Sequence, residues 1–83
     1  MYQNYVVEIK ETFSGEFEHQ VYWLWDEDHT QAMRKAEAKY YIILAEAALS
    51  DTAKHSVILF TSDGFPVMNK CYEHQPSEEE SEE

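Results

Sequence analysis

Residues 54–74 read KHSVILFTSDGFPVMNKCYEH, and this stretch predicts a β-hairpin. Lys54 to Thr61 is rich in β-branched and aromatic residues, as strands are. Asp63-Gly64 stands between two apolar runs, and this dipeptide favours a tight turn in which both residues have positive φ. Phe65 to His74 is the returning strand. Because Pro66 cannot donate a backbone hydrogen bond, we expect that strand at an edge of its sheet.

A second hairpin is predicted nearer the start of the chain, where residues 5–25 read YVVEIKETFSGEFEHQVYWLW. Residues 5–11 alternate between apolar and polar positions and are rich in β-formers. Phe17 to Trp25 reads as the partner strand. Ser14-Gly15 is the natural pivot of the turn that joins them.

Between the hairpins the sequence predicts one helix, from His29 to about Leu49, in a stretch that is rich in Ala and holds neither Gly nor Pro. Asp28, with Gln31 three residues later, fits a capping box at the start of this helix. One helical face recurs at three- and four-residue spacing and consists of Met33, Ala36, Tyr40, Ile43, Leu44 and Ala47.

The element order β-β-α-β-β predicts an α+β fold, a single domain over residues 1–75 with one helix packed on a four-stranded, mainly antiparallel sheet. The strand order 2-1-3-4 is favoured, because it makes every neighbouring pair antiparallel and leaves the strand with Pro66 at an edge. The order 1-2-3-4, with a parallel pair at the centre, is the alternative. Residues 76–83 are predicted to form a disordered acidic tail, since like charges repel and nothing apolar anchors them.

One helix can cover only one face of this sheet, so the other face decides what the surface offers. If both turns hold two residues, the helix-facing residues of the first hairpin are Tyr5, Val7, Ile9, Tyr22 and Leu24. Those of the second hairpin are Ile58, Phe60, Phe65, Val67 and Cys71. The uncovered face then carries Val6, Val21, Trp23, Trp25, Val57, Leu59, Met68 and Tyr72. An apolar patch of this size predicts an interaction site.

Two alternatives to this apolar patch stay open. The tail, the loops or the twist of the sheet could cover it. A slip of one residue in strand register would exchange the two faces.

The charge balance narrows the choice of partners. Seventeen acidic residues against six basic ones give a net charge of −11, yet the chain also holds two Trp, six Tyr and four Phe. Acidity with so many aromatic side chains predicts a packed domain with a strongly negative surface. Such a surface repels both DNA and RNA, and it attracts the basic grooves of proteins that bind nucleic acid. We therefore expect no direct binding to nucleic acid.

Cysteine content and hydropathy predict the cellular compartment. A single cysteine, Cys71, excludes an internal disulfide and fits a reducing cytosol. No apolar run approaches the length of a membrane span. We expect a soluble, cytoplasmic protein without membrane association.

No catalytic, cofactor-binding or metal site is predicted. Two glycines in the whole chain do not make a phosphate-binding loop. His55 and Cys71 point to opposite faces of the predicted hairpin, and the other histidines lack the paired spacing of zinc sites. Cys71, beside Tyr72 and Glu73, has no electropositive setting to activate a thiolate, and it is expected to be a small core residue. Enzyme activity is therefore not expected.

The stretch from Ala36 to Val67, which reads AEAKYYIILAEAALSDTAKHSVILFTSDGFPV, resembles a group of small proteins encoded by phages and prophages of Gram-positive bacteria. The resemblance covers residues 4–74 and consists of the leading hairpin, the Ala-rich helix, the strand with His55-Ser56 and the acidic-Gly turn. It implies a viral accessory context, in which small acidic proteins often block host defence enzymes. The Glu-rich segment after Pro76 departs from that group.

Two functional hypotheses follow. The first is a non-enzymatic protein-binding module, specifically a phage-type acidic inhibitor of a host nucleic-acid-binding enzyme. The apolar patch would anchor it, and the charge would come from Glu8, Glu16, Glu18, Asp26, Glu27 and Asp28. The second is a structural accessory protein that forms a homodimer through its uncovered sheet face. The predicted partner-binding residues are Trp23, Trp25, Val57, Leu59, Met68, Tyr72, Glu16, Glu18, Asp26, Glu27 and Asp28.

Overall fold

The structure, a computed structural model, describes residues 1–75. The tail predicted at residues 76–83 lies outside the described residues. The elements in chain order are β1 (Tyr2–Glu11), β2 (Phe17–Asp26), α1 (His29–Ala48), β3 (Lys54–Thr61) and β4 (Pro66–Glu73). The four strands form one sheet in the order β2-β1-β3-β4, and each neighbouring pair is antiparallel. The predicted α+β class, the strand order and the edge position of Pro66 are confirmed.

The turn between β1 and β2 is one residue longer than predicted. The amide of Thr12 donates to the carbonyl of Glu16, and the amide of Gly15 donates to the carbonyl of Thr12. Gly15 has a φ of +94°, as the last residue of a three-residue hairpin loop requires. This extra residue pairs Tyr5 with Trp23, whereas a two-residue turn would pair Tyr5 with Leu24.

The turn between β3 and β4 has the same form. The amide of Thr61 donates to the carbonyl of Phe65, and the amide of Gly64 donates to the carbonyl of Thr61. Gly64 has a positive φ, of +87°. In this hairpin a β-bulge compensates for the longer turn. The pairing shifts between Phe60 and Leu59, which leaves Val67 as the extra residue of β4. The predicted pairs Leu59–Met68, Val57–Lys70 and His55–Tyr72 are therefore found, although the turn itself was predicted wrongly.

Helix α1 begins as its sequence predicts. The side chain of Asp28 accepts a hydrogen bond of 2.9 Å from the amide of Gln31. At the other end the carbonyl of Ala47 accepts bonds from the amide of Ser50 and from Nε2 of His74. The buried positions of α1 are Ala32, Ala36, Tyr40, Ile43 and Ala47, which largely match the predicted face.

The core lies between α1 and one face of the sheet. Its buried sheet residues are Val6, Val57 and Leu59, which pack with the buried helix residues. Partly buried side chains surround them: Tyr22, Leu24, Met33, Leu44, Met68 and Tyr72. The small alanines of α1 allow the helix backbone to approach the sheet closely, so the branched side chains of the sheet fill the space.

The predicted face was wrong for β1 and for the second hairpin. Val6, Val57 and Leu59 are 0% exposed, and Met68 and Tyr72 pack against the core, so these five residues do not lie on the uncovered face. Most of the residues that were expected to face the helix instead lie on the other side of the sheet or in the turn: Tyr5, Val7, Ile9, Ile58, Phe60, Phe65 and Cys71. Val67 is the unpaired residue of the bulge and is exposed.

The error has two physical causes. In the first hairpin, the longer turn shifts the register by one residue, which moves every side chain of β1 to the opposite face relative to β2. In β3, the run Val57-Ile58-Leu59-Phe60 is apolar at every position, so its pattern does not indicate which face is buried.

Within residues 1–75, α1 is too polar to cross a membrane, and no other helix is present to do so.

Candidate functional site: the open face of the sheet

The sheet surface turned away from α1, here named the open face, is built from rows of side chains that run across the strands. One row is Trp23, Tyr5 and Phe60, and the next is Val21, Val7, Ile58 and Asn69. Trp25 lies beyond the first row and pairs with Gln3, and His19, Ile9, Ser56 and Cys71 form a further row. An antiparallel sheet with a solvated face ordinarily places polar residues there, so this apolar surface needs an explanation.

The exposed indoles are the most prominent part of the open face. Trp23 is 54% exposed and Trp25 is 52% exposed. On the same edge strand, Phe17 and Val21 are also exposed. The placement of Trp23, Trp25 and Val21 on the uncovered face is confirmed, because β2 keeps the predicted orientation, with Tyr22 and Leu24 against the core.

Three aromatic rings make a continuous strip across β2, β1 and β3. The ring centroids of Tyr5 and Trp23 are 4.6 Å apart with planes tilted by 40°. Those of Tyr5 and Phe60 are 4.9 Å apart with planes within 16° of parallel. Because each ring is held by its neighbour, little side-chain freedom remains to be lost when a partner covers the strip.

Charged residues on the open face are confined to one end. The last row contains Phe17, Glu11, Lys54 and Glu73, so its two acids flank a lysine. The rows described above hold no Asp, Glu, Lys or Arg. The centre of this surface is therefore neutral, although the chain as a whole is strongly acidic.

The groove beside the strip is shallow and mostly apolar. It has a volume of ≈ 290 Å³ and is lined by Ser56, Ile58, Phe60, Pro66, Asn69, Cys71 and Lys70, of which Lys70 stands at a helix-side position of β4. The cysteine is exposed here and is not the core residue that its sequence context predicted. Cys71 and buried His55 lie on opposite faces of the sheet, as predicted, although each lies on the face that was predicted for the other.

The acidic residues predicted to attract a partner do not lie on the open face. Glu18 and Asp26 share the helix side of β2 with Tyr22, because side chains alternate along a strand. Glu16 belongs to the turn, and Glu27 precedes the helix. The apolar anchor and the acidic residues are therefore on different surfaces of the molecule.

Two of these acids have structural partners. Asp26 forms a 2.8 Å ion pair with Lys35 and also accepts a bond from the amide of Asp28. The bond from Lys35, followed by the amide bond, lowers the pKa of the Asp26 carboxyl below its usual value. Asp28 caps α1. Each of these carboxylates is held in place by its own chain.

A buried polar cluster, which sequence reasoning did not find, lies under the end of α1. Nε2 of His55 donates to Oε2 of Glu8 across 2.6 Å, and the hydroxyl of Tyr22 donates to Oε1 of Glu8 across 2.9 Å. Nδ1 of His55 is 3.1 Å from Oγ of Ser50. Glu8 is 7% exposed and His55 is 2% exposed. Glu8 was predicted to supply surface charge, and this prediction is wrong because its side chain is buried.

Ser50, His55 and Glu8 resemble a nucleophile, base and carboxylate in their order of contact, but the setting does not suit acyl transfer. Ser50 follows the C-terminal end of α1, where the helix dipole is negative and disfavours a developing oxyanion. Its hydroxyl is also 3.0 Å from that of Thr52. The cluster instead ties β1, β2 and β3 to the end of the helix, and no buried side-chain nitrogen or oxygen in residues 1–75 is left without a partner.

A second apolar surface was also missed. The exposed surface of α1 carries a stripe at three- and four-residue spacing, formed by Ala38, Tyr41, Ile42 and Ala45, and Tyr41 lies at the flank of the helix, with its hydroxyl 3.7 Å from Sδ of Met68. Tyr41 and Ile42 are each 56% exposed. A helix that is apolar on more than one side was the available signal, since it departs from the pattern of an ordinary surface helix.

Across the part of the chain that the structure describes, no group of three or more His, Cys, Asp or Glu side chains is placed to hold a metal ion. Comparison with protein-family models, with curated proteins and with solved structures finds no match to this chain. The resemblance to phage-encoded proteins stays a prediction, and function must be argued from the surfaces alone.

Proposed function

We propose that this chain is a non-enzymatic protein-binding module and that it binds through the open face. The observation that carries the proposal is the pair of half-exposed indoles on a sheet face that α1 does not cover. Fully burying one large apolar side chain contributes roughly 1.5–3 kcal/mol. Trp23, Trp25 and Phe17 each expose about half or more of their surface, so covering them together supplies a substantial driving force for association.

The hypothesis of an acidic inhibitor stays a prediction with a weaker physical basis. It needs carboxylates beside the indoles, so that one partner surface meets both. The acids Glu16, Glu18 and Glu27 lie in the turn, on the helix side of β2 and before the helix, respectively. The exposed apolar surface instead favours a partner whose binding is driven by burial of that surface rather than by charge.

Site-directed photocrosslinking tests the proposal without a known partner. Trp23 is replaced by the photoreactive residue p-benzoylphenylalanine in cells that produce the chain. The matched control carries the same residue at Phe13, an aromatic position in the β1–β2 turn that is 50% exposed, close to the 54% of Trp23. We expect protein adducts from position 23 that position 13 does not give.

The adducts from position 23 should also form when a lysate is irradiated in high salt, because burial of apolar surface is not screened. Equal adducts from both positions, or none from position 23, would overturn the proposal. Adducts that form on irradiation in low salt but not in high salt would favour the acidic inhibitor.

A further inference from the structure

We propose that the occupant of the open face is a second copy of this chain, so that two sheets pack face to face as a four-layer α/β/β/α homodimer. This inference rests on the proposed function and names its partner. The outer layers would be the two α1 helices, and the inner layers would be the two sheets. Sheets packed in this way lie about 10 Å apart, with interdigitating side chains.

The size of the open face fits a stable dimer. β1 and β2 have ten residues each, and β3 and β4 have eight. At about 3.4 Å per residue and about 4.8 Å between strands, the face projects to roughly 600 Å². Side-chain relief raises the accessible area above this projection, towards the roughly 800 Å² per partner of a standard interface.

The absence of charged residues from the centre of the open face favours a second copy of this chain over a basic protein as its partner. The rows around Trp23 and Val21 carry no Asp, Glu, Lys or Arg, so a basic partner would find no carboxylate to pair with there. Two chains with a net charge of −11 each repel one another through most of their surfaces. A neutral face is the surface through which they can approach without placing acids against acids.

The charged end row is compatible with this pairing. Glu11 and Glu73 each neighbour Lys54 across the strands, so the row carries both signs. In an arrangement with two-fold symmetry a surface meets its own copy, and residues at one end of the face meet the opposite end of the partner when the strands run antiparallel. The row with Glu11, Lys54 and Glu73 then lies at the rim, where its charges stay hydrated, near the Gln3 and Trp25 row of the second copy.

The two tryptophans provide an intrinsic reporter that distinguishes this interface from others. They are the only Trp residues of the chain, and both lie on the open face. Dimerisation through this face dehydrates the indole of Trp23 and shifts the Trp emission to shorter wavelength as concentration rises. Dimerisation through the stripe of Tyr41 and Ile42 on α1 leaves the indoles in water and their emission unchanged.

The experiment combines sedimentation equilibrium with Trp emission over a concentration series of the full chain. We expect a monomer–dimer equilibrium whose midpoint coincides with that of the blue shift. Trp23→Glu should raise the dimer dissociation constant by at least about a hundredfold, because it buries an unpaired charge. Ile42→Glu, at a position of similar exposure (56% against 54%) on α1, should leave it within about threefold of the wild type, since surface changes usually shift free energy by under ~0.5 kcal/mol.

Three results would overturn the inference: a monomer at all concentrations, a dimer whose emission does not shift, or a dimer that Ile42→Glu disrupts and Trp23→Glu does not. Circular dichroism of each variant checks its fold, and the wild-type emission series decides the matter if Trp23→Glu does not fold. A monomer that still crosslinks another protein through position 23 would refute the homodimer and leave the proposed function standing. Absence of both the dimer and the adducts would refute both.

Discussion

His55 is the residue whose environment differs most from what its sequence position suggests. It is 2% exposed, and its ring is bonded on one side to Glu8 and on the other to Ser50. A buried polar pair such as this contributes little net stability over a well-packed apolar pair, but removing one member leaves the other without its partner. The cluster therefore acts as a constraint on which side chains can meet beneath α1.

His55→Leu is expected to destabilise the domain by about 3 kcal/mol, because Glu8 would remain buried with only the bond from Tyr22. The double variant Glu8→Leu/His55→Leu should recover much of this loss, since no unpaired charge is left. Urea denaturation of the wild type, both single variants and the double variant measures the coupling. Additive effects of the two substitutions would show that the pair does not act as a unit.

The environment of Tyr22 predicts that the stability of the domain depends on pH in the alkaline range. Its pKa is raised, first by burial and then by its hydrogen bond to the Glu8 carboxylate, which opposes a second negative charge. A raised pKa means that the folded state holds the proton more tightly, so this stability is fully present below the unfolded value of about 10 and is lost as pH rises through the folded pKa.

We therefore expect the unfolding free energy to fall above about pH 10 more steeply in the wild type than in Tyr22→Phe. Below that pH, Tyr22→Phe should be less stable by about 1 kcal/mol, because it lacks the bond to Glu8. Denaturation series at neutral and alkaline pH test both statements. If the unfolding free energies of the wild type and of Tyr22→Phe fall in parallel as pH rises, Tyr22 is not the source of the pH dependence. Tyr40, whose pKa is also raised by burial, is present in both proteins and cancels from the comparison.

At the scale of elements, the two hairpin turns follow one design. Thr12 and Thr61 each place a hydroxyl oxygen to accept the amide four residues later, that of Glu16 or Phe65, at 3.1 Å. Each turn then ends in a glycine with positive φ. The length of the first loop sets which side chains of β1 share a face with Tyr22 and Leu24 of β2.

Gly15→Ala isolates the backbone cost of this turn. A Cβ at Gly15 meets no atom within 4 Å, so any loss comes from the left-handed backbone and not from a clash. We expect a loss of about 1–2 kcal/mol on thermal or urea denaturation. Gly15→Asn should cost less, because Asn tolerates this conformation better. Equal losses for Ala and Asn would argue against a backbone origin.

The turns also show why the sequence predicted the elements but not the faces. Capping at Asp28, helix formation up to Ala48 and the strand bounds of β3 depend on local residues, and each was predicted closely. The choice between a two- and a three-residue loop in Phe13-Ser14-Gly15 depends on how Thr12 bonds across it, which the dipeptide signal does not contain. A one-residue difference then reverses the orientation of β1.

The candidate site was predictable only in part. Trp23 and Trp25 were placed on the uncovered face, since β2 alternates clearly between apolar core residues and these indoles. Val57 and Leu59 were misplaced, because β3 is apolar on both sides. The Glu8–His55 bond joins residues that are 47 positions apart, and no local pattern marks such a pair.

At the scale of the whole molecule, net charge and the open face oppose each other. The chain carries a net charge of −11, so two copies repel at long range, whereas the neutral face attracts only on contact. Salt shortens the range of the repulsion to about 8 Å at physiological ionic strength and does not screen burial of apolar surface.

Raising the salt concentration from low to about 0.5 M should therefore tighten the proposed homodimer or leave it unchanged. Sedimentation equilibrium at several salt concentrations measures this dependence. A complex held by acidic residues against a basic protein would behave in the opposite way and weaken steeply. Steep weakening of the self-associated state by salt would show that charge pairs, and not the open face, hold the copies together.

The strand order has a consequence for folding during synthesis on the ribosome. β1 is synthesised before the other three strands of this sheet, yet it lies inside the sheet and needs β3, which is made only after the whole helix has followed. The nascent first hairpin therefore waits with the backbone hydrogen-bonding groups on one edge of β1 unpaired until β3 is made. β3 and β4 must emerge from the exit tunnel before the sheet can form, so this domain completes its folding late in its own synthesis.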